Sequence, residues 1–592
     1  MNNDNRYFRL LKRWVDRLIT LQCPPTMERF FRGGFMCPAC AKIHGRSGDA
    51  VLPLMYVAKA TGDRKYIESA KELFDWSEFN IVRADDSYVN DSNNDWRGIT
   101  VFSVISLAET LSLFGDLLDS KTREKWMDRL GRSAECLYHL IDTLNPNVNY
   151  PISTAAALAI CAKLLDCRKY SEKAHRMMHE MLSFINDDGL IFGEGNPSLL
   201  ETEKGCQGID IGYNVEESLV AMALYSLNTG DQDVRQAVIR CLYAHLPFFV
   251  PDGGWNNSWG SRNAKWSYWG SRTSDGCQLC YGLFDDVDPV FGEVAYRNFL
   301  MYEKCTDDSL LLGGPMFADE GEPACVHHTF CHSKGLALML AMGHCPEGGL
   351  GLELDDETVT RTYQRGNLVM VAAKDWKASI STVDYPYCQG SNSGGGCMTF
   401  LWNRGFGPIL AATMVRYSLH EPANMQIPKV YPFECDSMRI VLSDGSNEEI
   451  SNINDGLATL EHEEKDGVTR VRVSGNMADL DGERTSATFA LEYDICSEGV
   501  TIRACCAEDS TLKLPVVSRN GLFNADANSI TVIGDDSCDL IVESDAESSI
   551  DVLGPGKSRT AFNPVGGFIY MPVEYHLKAN EIVEVRISVR KK

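Results

Sequence analysis

Long apolar runs are missing from this 592-residue chain: no stretch approaches the roughly 18 residues that a membrane-spanning helix needs. No membrane partner is expected. The N-terminal segment "MNNDNRYFRLLKRWVDRLITLQ" lacks an apolar core and a small-residue cleavage site, so it reads as an amphipathic helix rather than a signal peptide. A cytoplasmic location is the expectation, although a chain trimmed of its leader would read the same way. Positive charge is scarce as well. Lys and Arg total 56 against 82 Asp and Glu, a formal net charge of −26, which argues against nucleic-acid binding. Any anionic substrate has to be held by locally placed Arg or Lys. No phosphate-cradling glycine loop or dinucleotide fingerprint stands between a strand and a helix, so no nucleotide cofactor is expected.

Cysteine, by contrast, is plentiful. Twenty-one cysteines without an export signal suggest a reducing compartment and mostly free, buried thiols. In "CPACAKIH", Cys37, Cys40 and His44 have zinc-ligand spacing, with Cys280 or Cys331 as a possible fourth ligand. A structural zinc is the one cofactor the sequence suggests. The alternative for "CQLC" (Cys277 and Cys280) is two small helix residues facing a core.

Residues 1–345 are helical in pattern, and the pattern repeats. Turn aspartates Asp63, Asp116, Asp166, Asp231 and Asp286 recur at roughly 50 to 65 residues, longer than the repeats of about 33–34 residues in ankyrin or tetratricopeptide arrays. Before each turn lies an apolar helix such as "YPISTAAALAICAKLL"; after it comes one with a charged face, such as "SEKAHRMMHEMLSFI". A sixth apolar helix, "HTFCHSKGLALMLAM", completes the set. Six hairpins predict an (α/α)6 toroid, with an open solenoid of long repeats as the alternative. Beyond Gly349 the texture changes to short, β-branched, alternating segments such as "TRVRVSG" and "IVEVRISVR", the pattern of an antiparallel sandwich. The expected division is a toroid over 1–348, a linker over 349–360 and a β-sandwich over 361–592.

In such a ring the inner helices run in one direction, so the loops leading into them gather at one mouth. Connectors need about two to eight residues; several of these loops are much longer and are crowded with polar groups. At the fourth, Asp210, Tyr213, Asn214, Glu216 and Glu217 precede an apolar helix, either as caps and solvated acids or as one wall of an active site. The fifth holds Trp255, Trp259, Trp266 and Trp269, and Trp96 lies in the second. Aromatic faces among Asn, Ser and Asp suit sugar rings, although some of these Trp must also be core. Arg46, Arg97, Arg262 and Arg272 lie in or beside the loops and suit a bidentate clamp on a uronate carboxylate.

A helical toroid followed by a large β-sandwich resembles the polysaccharide lyases of the heparinase II/III and alginate-lyase type, and a group of β-glucuronidases built on the same plan. The resemblance to the lyases implies a toroid Asn-His, a Tyr somewhat over 50 residues on, and a later His. Asn149 in "NVNYP", Tyr213, and His327 or His328 in "CVHHTFCH" take these places, but Tyr150 stands where the first His belongs. Elimination needs a neutralised carboxylate, a base and an acid; hydrolysis needs two carboxylic acids flanking the bond. With the Asn-His pair missing and acids abundant, the sequence favours a glycoside hydrolase that releases a uronic acid from oligosaccharides in an exo manner, like a β-glucuronidase. Glu194 and Asp95 form the expected acid pair, Tyr213 and His328 support them, and Glu216 is a reserve; Asp210 and Glu217 are further candidates. Expected substrate contacts are Arg46, Arg97, Asn149, Trp259, Arg262, Trp266, Arg272 and His327. A lyase is the runner-up, and a non-catalytic glycan-binding protein the reading from another class. A homodimer is a mild expectation.

Overall fold

The structure is a computed structural model. It describes every residue except 1–4, 92–95, 143–146, 196–200, 273, 275, 277, 351–357, 384, 388–392, 413–436, 443–448, 519–522, 527, 535–536, 551–560 and 564. Helices run in chain order as α1 Arg6–Thr20, α2 Val51–Thr61, α3 Lys65–Asn80, α4 Thr100–Phe114, α5 Ser120–Leu140, α6 Asn149–Leu164 and α7 Arg168–Met181. After these come α8 Ile211–Tyr213, a π-helical turn Asn214–Ser218, α9 Leu219–Thr229, α10 Gln232–His245, α11 Leu279–Gly282, α12 Pro289–Lys304 and α13 Val326–Ala341. Helices α2, α4, α6, α9, α11 and α13 pack side by side as a closed inner ring, because α13 also touches α2. The outer ring is α1, α3, α5, α7, α10 and α12, with α1 lying against α13. The expected toroid is the observed one.

Composition explains the two rings. Inner helices have no solvent face, and α6 buries a continuous run from Pro151 to Cys161 whose four alanines let neighbouring backbones approach. Contrary to the expectation that no stretch is long enough, the Thr100–Leu117 segment is long and apolar enough to cross a membrane by composition; here it is a ring helix, mostly buried. Outer helices bury one stripe only: α7 buries Tyr170, Ala174, Met177, Met178 and Met181, at helical spacing. Two of the turn aspartates work as local caps. Asp231 accepts from the amides of Asp233 and Val234, and Asp63 from that of Lys65 at 2.9 Å.

After two short two-stranded pairs within the toroid's loops, the strand-rich part begins at Val359–Tyr363, which opens a five-stranded antiparallel meander ending at Gly407–Ala411. Behind it, an eight-stranded sheet and a further five-stranded sheet enclose a second apolar core, again with antiparallel pairing. Val468–Ala478 and Arg484–Cys496 alternate buried and open positions along much of their length, as strands with one wet face must. The toroid's fifth mouth loop is clamped against this part. Trp266 packs on Phe568 with ring centroids 5.7 Å apart, and its carbonyl accepts from the Gly566 amide at 2.9 Å.

Candidate functional site

The inner-helix starts bring polar side chains from all over the ring to one buried cluster. Asn149 is the first residue of α6. Its backbone amide donates to Glu194 Oε1 at 3.0 Å, and its Nδ2 donates to Glu217 Oε1. Glu194, on the fourth mouth loop, has its other oxygen 3.3 Å from Arg262 Nη1 on the fifth. The Arg262 guanidinium lies 4.7 Å from the Tyr213 ring centroid, and Lys265 Nζ donates to Tyr213 Oη at 3.0 Å. Arg46, on the first loop, is held by Asp49 through Nε at 3.1 Å and Nη2 at 2.8 Å. All of these side chains are buried.

Burial sets their electrostatics. Desolvation pushes the Glu194 carboxyl up to about 7, with Arg262 pulling against it. Desolvation likewise takes Glu217 up to about 7, opposed by Arg46 and the Asn149 hydrogen bond. His327 and His328 are held well below the usual imidazole range, first by burial and then by the charges of Arg46 and Arg272 respectively. Both are therefore neutral, and neither ring nitrogen of either histidine has a hydrogen-bond partner. Asn149 Oδ1 and Glu217 Oε2 are also buried without one. Native interiors leave few polar atoms so, which makes this cluster the candidate functional site.

The neighbours Glu216 and Glu217 part company here. The π turn carries one extra residue, a feature frequent at functional sites, and sends the two carboxylates to different loops. Glu217 faces Asn149. Glu216 instead accepts from Gln278 Nε2 at 2.6 Å, Tyr302 Oη at 3.2 Å, the Ser271 amide at 3.1 Å and Ser274 Oγ. With both oxygens saturated, it anchors the fifth loop and has no catalytic vacancy. Asp210 caps α8, accepting from the Tyr213 amide at 3.0 Å, and so fixes the tyrosine's position.

Other expected residues lie elsewhere. Trp259 packs on Phe248 and Trp266 on Phe568 and Phe400, so both are interface core rather than sugar platforms. Among the described residues Trp96 is the exposed tryptophan, and its Nε1 donates to Tyr150 Oη at 3.0 Å. Arg97 is an exposed surface residue paired with Asp85 on its own loop. Arg272 is fully buried, its guanidinium 5.2 Å from the Phe317 ring. Asp95 and Cys277 lie outside the described residues. Lys265 escaped the sequence reading, as did Tyr385 and Tyr387, which reach the site from the strand-rich part: Arg262 lies 5.7 Å from the Tyr387 ring, and Tyr385 covers Gly195 and Gly208. A lysine directly before an aromatic run in "NAKWSYWG" is the signal for the first; nothing in the sequence beyond the toroid signals the tyrosines.

Cys37, Cys40 and His44 do come together, and their fourth neighbour is Cys325, not Cys280 or Cys331. Cys280 points at the Val215 carbonyl, 3.3 Å away, and Cys331 is buried on α13 beside Arg46. No cysteine among the described residues forms a disulfide.

Two family models match nearly the whole chain: the ulvan lyase N-terminal domain over residues 11–348 and the ulvan lyase C-terminal domain over 360–591. This chain belongs to the ulvan lyase family. A broad-specificity ulvan lyase of Formosa agariphila is 34% identical over 534 residues, covering 86% of this chain and 82% of that one. Among solved structures, heparinase III superposes with a TM-score of 0.56 at 11% identity, over 99% of this chain and 89% of that one. The chondroitin AC lyase of Streptomyces coelicolor A3 gives 0.53 at 11% identity, over 98% and 82%. These two speak for the shared toroid-plus-sandwich fold. Family membership overturns the expected glycoside hydrolase. The abundance of acids misled because Glu216 and Asp210 are spent on structure, and Glu194 is tied to Asn149 and Arg262.

Proposed function

We propose that this ulvan lyase family member is a polysaccharide lyase that cleaves a uronate-containing, anionic polysaccharide of the ulvan class by β-elimination. The observation that carries the reading is the phenol of Tyr213, set between Lys265 and Arg262 and beside the Asn149–Glu217 pair. Elimination removes the proton at C5 of the uronate, forms the C4–C5 double bond and expels the oxygen on C4, which takes up a proton. With Lys265 Nζ on its hydroxyl and the Arg262 guanidinium against its ring, Tyr213 is the group we assign as the base at C5 and, once protonated, as a proton source for the departing oxygen.

The C5 proton becomes acidic only when the adjacent carboxylate is neutralised. Asn149, Glu217 and Arg262 are suited to that task. A Glu217 carboxyl near 7 supplies a proton to share with the uronate at neutral pH, while the amide and guanidinium donate hydrogen bonds to it. His327 and His328, whose ring nitrogens have no partner, are the further side chains we assign to bonding the sugar. Trp96, exposed at the second loop, is the aromatic surface available to a neighbouring residue of the chain.

The test is to incubate the protein with ulvan and follow ultraviolet absorbance of the unsaturated uronate alongside new reducing ends. Absorbance rising in step with reducing ends supports elimination. Reducing ends without absorbance would sink it.

A further inference from the structure

The first and last mouth loops meet at a group of side chains outside the reaction site. Cys37 and Cys40 come from the turn before α2, His44 follows them, and Cys325 immediately precedes α13. Cys325 Sγ lies 3.7 Å from Cys37 Sγ, 3.7 Å from Cys40 Sγ and 3.4 Å from His44 Nε2. All four ligand atoms fall within 4.8 Å of one another. Disulfides need sulfurs at about 2.0 Å, so this is not one. A tetrahedral zinc with Zn–S of about 2.3 Å and Zn–N of about 2.0–2.1 Å sets sulfurs about 3.7–3.8 Å apart and sulfur and nitrogen about 3.6 Å apart. The observed separations sit at those edges.

From this geometry we propose that Cys37, Cys40, His44 and Cys325 hold one structural zinc ion that staples the first mouth loop to the sixth, across the seam where the toroid closes. Three thiolates and an imidazole form a closed four-ligand set with no position left for substrate, the pattern of structural rather than catalytic zinc. Three of the four residues are buried, and Cys40 is half-buried, so the ion has a short route in. Sequence separation explains the benefit. The partners are 281 to 288 residues apart, and among the described residues no disulfide crosses this seam. The staple also sits next to working residues: Arg46 follows His44 by two positions, and His327 follows Cys325 by two. The inference does not depend on the reaction being elimination.

Metal analysis of the intact protein, produced with zinc supplied, tests it. About one zinc per chain is expected, falling to near zero in Cys325→Ser. Should that variant fail to fold, the wild-type protein answers alone: exchange with cobalt(II) should give thiolate-to-cobalt charge-transfer bands and the strong visible bands of a tetrahedral site. Hydrogen exchange should rise at residues 37–50 and 325–332 after chelation, with the strand-rich part unchanged. Wild-type protein with well under one zinc per chain and no such cobalt spectrum would overturn the assignment. So would one equivalent of iron in place of zinc, or full zinc content retained in a folded Cys325→Ser.

Discussion

Two regions carry dense charge, and they handle it in opposite ways. On the open face of the eight-stranded sheet, Arg470, Arg472, Glu492, Asp494, Arg503 and Glu584 form a ladder across adjacent strands. Arg470 pairs with Asp494 at 2.6 Å, Arg472 with Glu492 at 2.8 Å, and Arg503 with Glu492, Asp494 and Glu584 at 2.7 to 2.8 Å. Opposite charges sit directly across from each other in register, so each is satisfied by a neighbour or by water. At the toroid mouth the charges are buried, carboxyls are pushed toward neutrality and several polar atoms have no partner. Charge that is paired and wet serves the sheet; charge that is dry and incompletely paired is held ready for something else. The second arrangement is expensive, and a fold retains it where a ligand completes it.

The contrast can be broken experimentally, and the largest effect should come from the mouth. Tyr213→Phe removes only the hydroxyl between the cations and should lower turnover about 10²- to 10⁴-fold, the scale of a lost acid–base group, with KM little changed. A drop below about tenfold in initial rates would take Tyr213 out of the chemistry. Glu216→Gln should do the reverse. Its carboxylate accepts from four donors, and an amide cannot, so thermal or denaturant unfolding should show a loss of about 1–3 kcal/mol with per-molecule activity of the folded enzyme retained. Lost activity at full stability would move Glu216 into the site.

A third experiment reads the raised carboxyls through pH. A Glu held at about 7 when folded, against an ordinary 4.5, keeps a proton that the unfolded chain has given up between those values. Its contribution to stability is therefore present below about 4.5 and lost as pH rises through about 7. Glutamine cannot ionise, so the double variant Glu194→Gln, Glu217→Gln should gain melting temperature relative to wild type at about pH 8 compared with about pH 5. An unchanged difference would mean that both carboxyls are ordinary. The smallest effect belongs to the ladder: Arg472→Ala should cost less than about 1 kcal/mol and leave turnover untouched. A larger loss would make the ladder more than surface charge.

Much of the clustering at the mouth could be read from sequence because residue type and loop position were enough for it. Asn149, Tyr213, Glu194, Arg262 and Arg46 stand at or before inner helices, and a ring of parallel inner helices gathers such positions at one end. The aromatic reading failed for a definite reason. Trp259 and Trp266 lie in a mouth loop, as a sugar platform would, but that loop is also where the strand-rich part seats, and the apolar contact took them. Asp95 falls among residues that the structure does not describe, so its place in the reading has no counterpart here.

What the sequence alone determined is the architecture: apolar, alanine-rich helices must be inner because they have no polar face, one-striped helices must be outer, and period-two strands must form a sheet with a wet side. Tertiary structure decided the chemistry at each position. Glu216 and Glu217 are adjacent and identical in type, yet a π turn and the fifth loop's donors make one an anchor and leave the other facing Asn149. Cys325 joins Cys37, Cys40 and His44, and Tyr385 and Tyr387 reach the site from beyond the toroid, through contacts hundreds of residues apart in the first case and across two domains in the second. Periodicity reports which face a residue occupies; it holds no information about which distant side chain will meet it there.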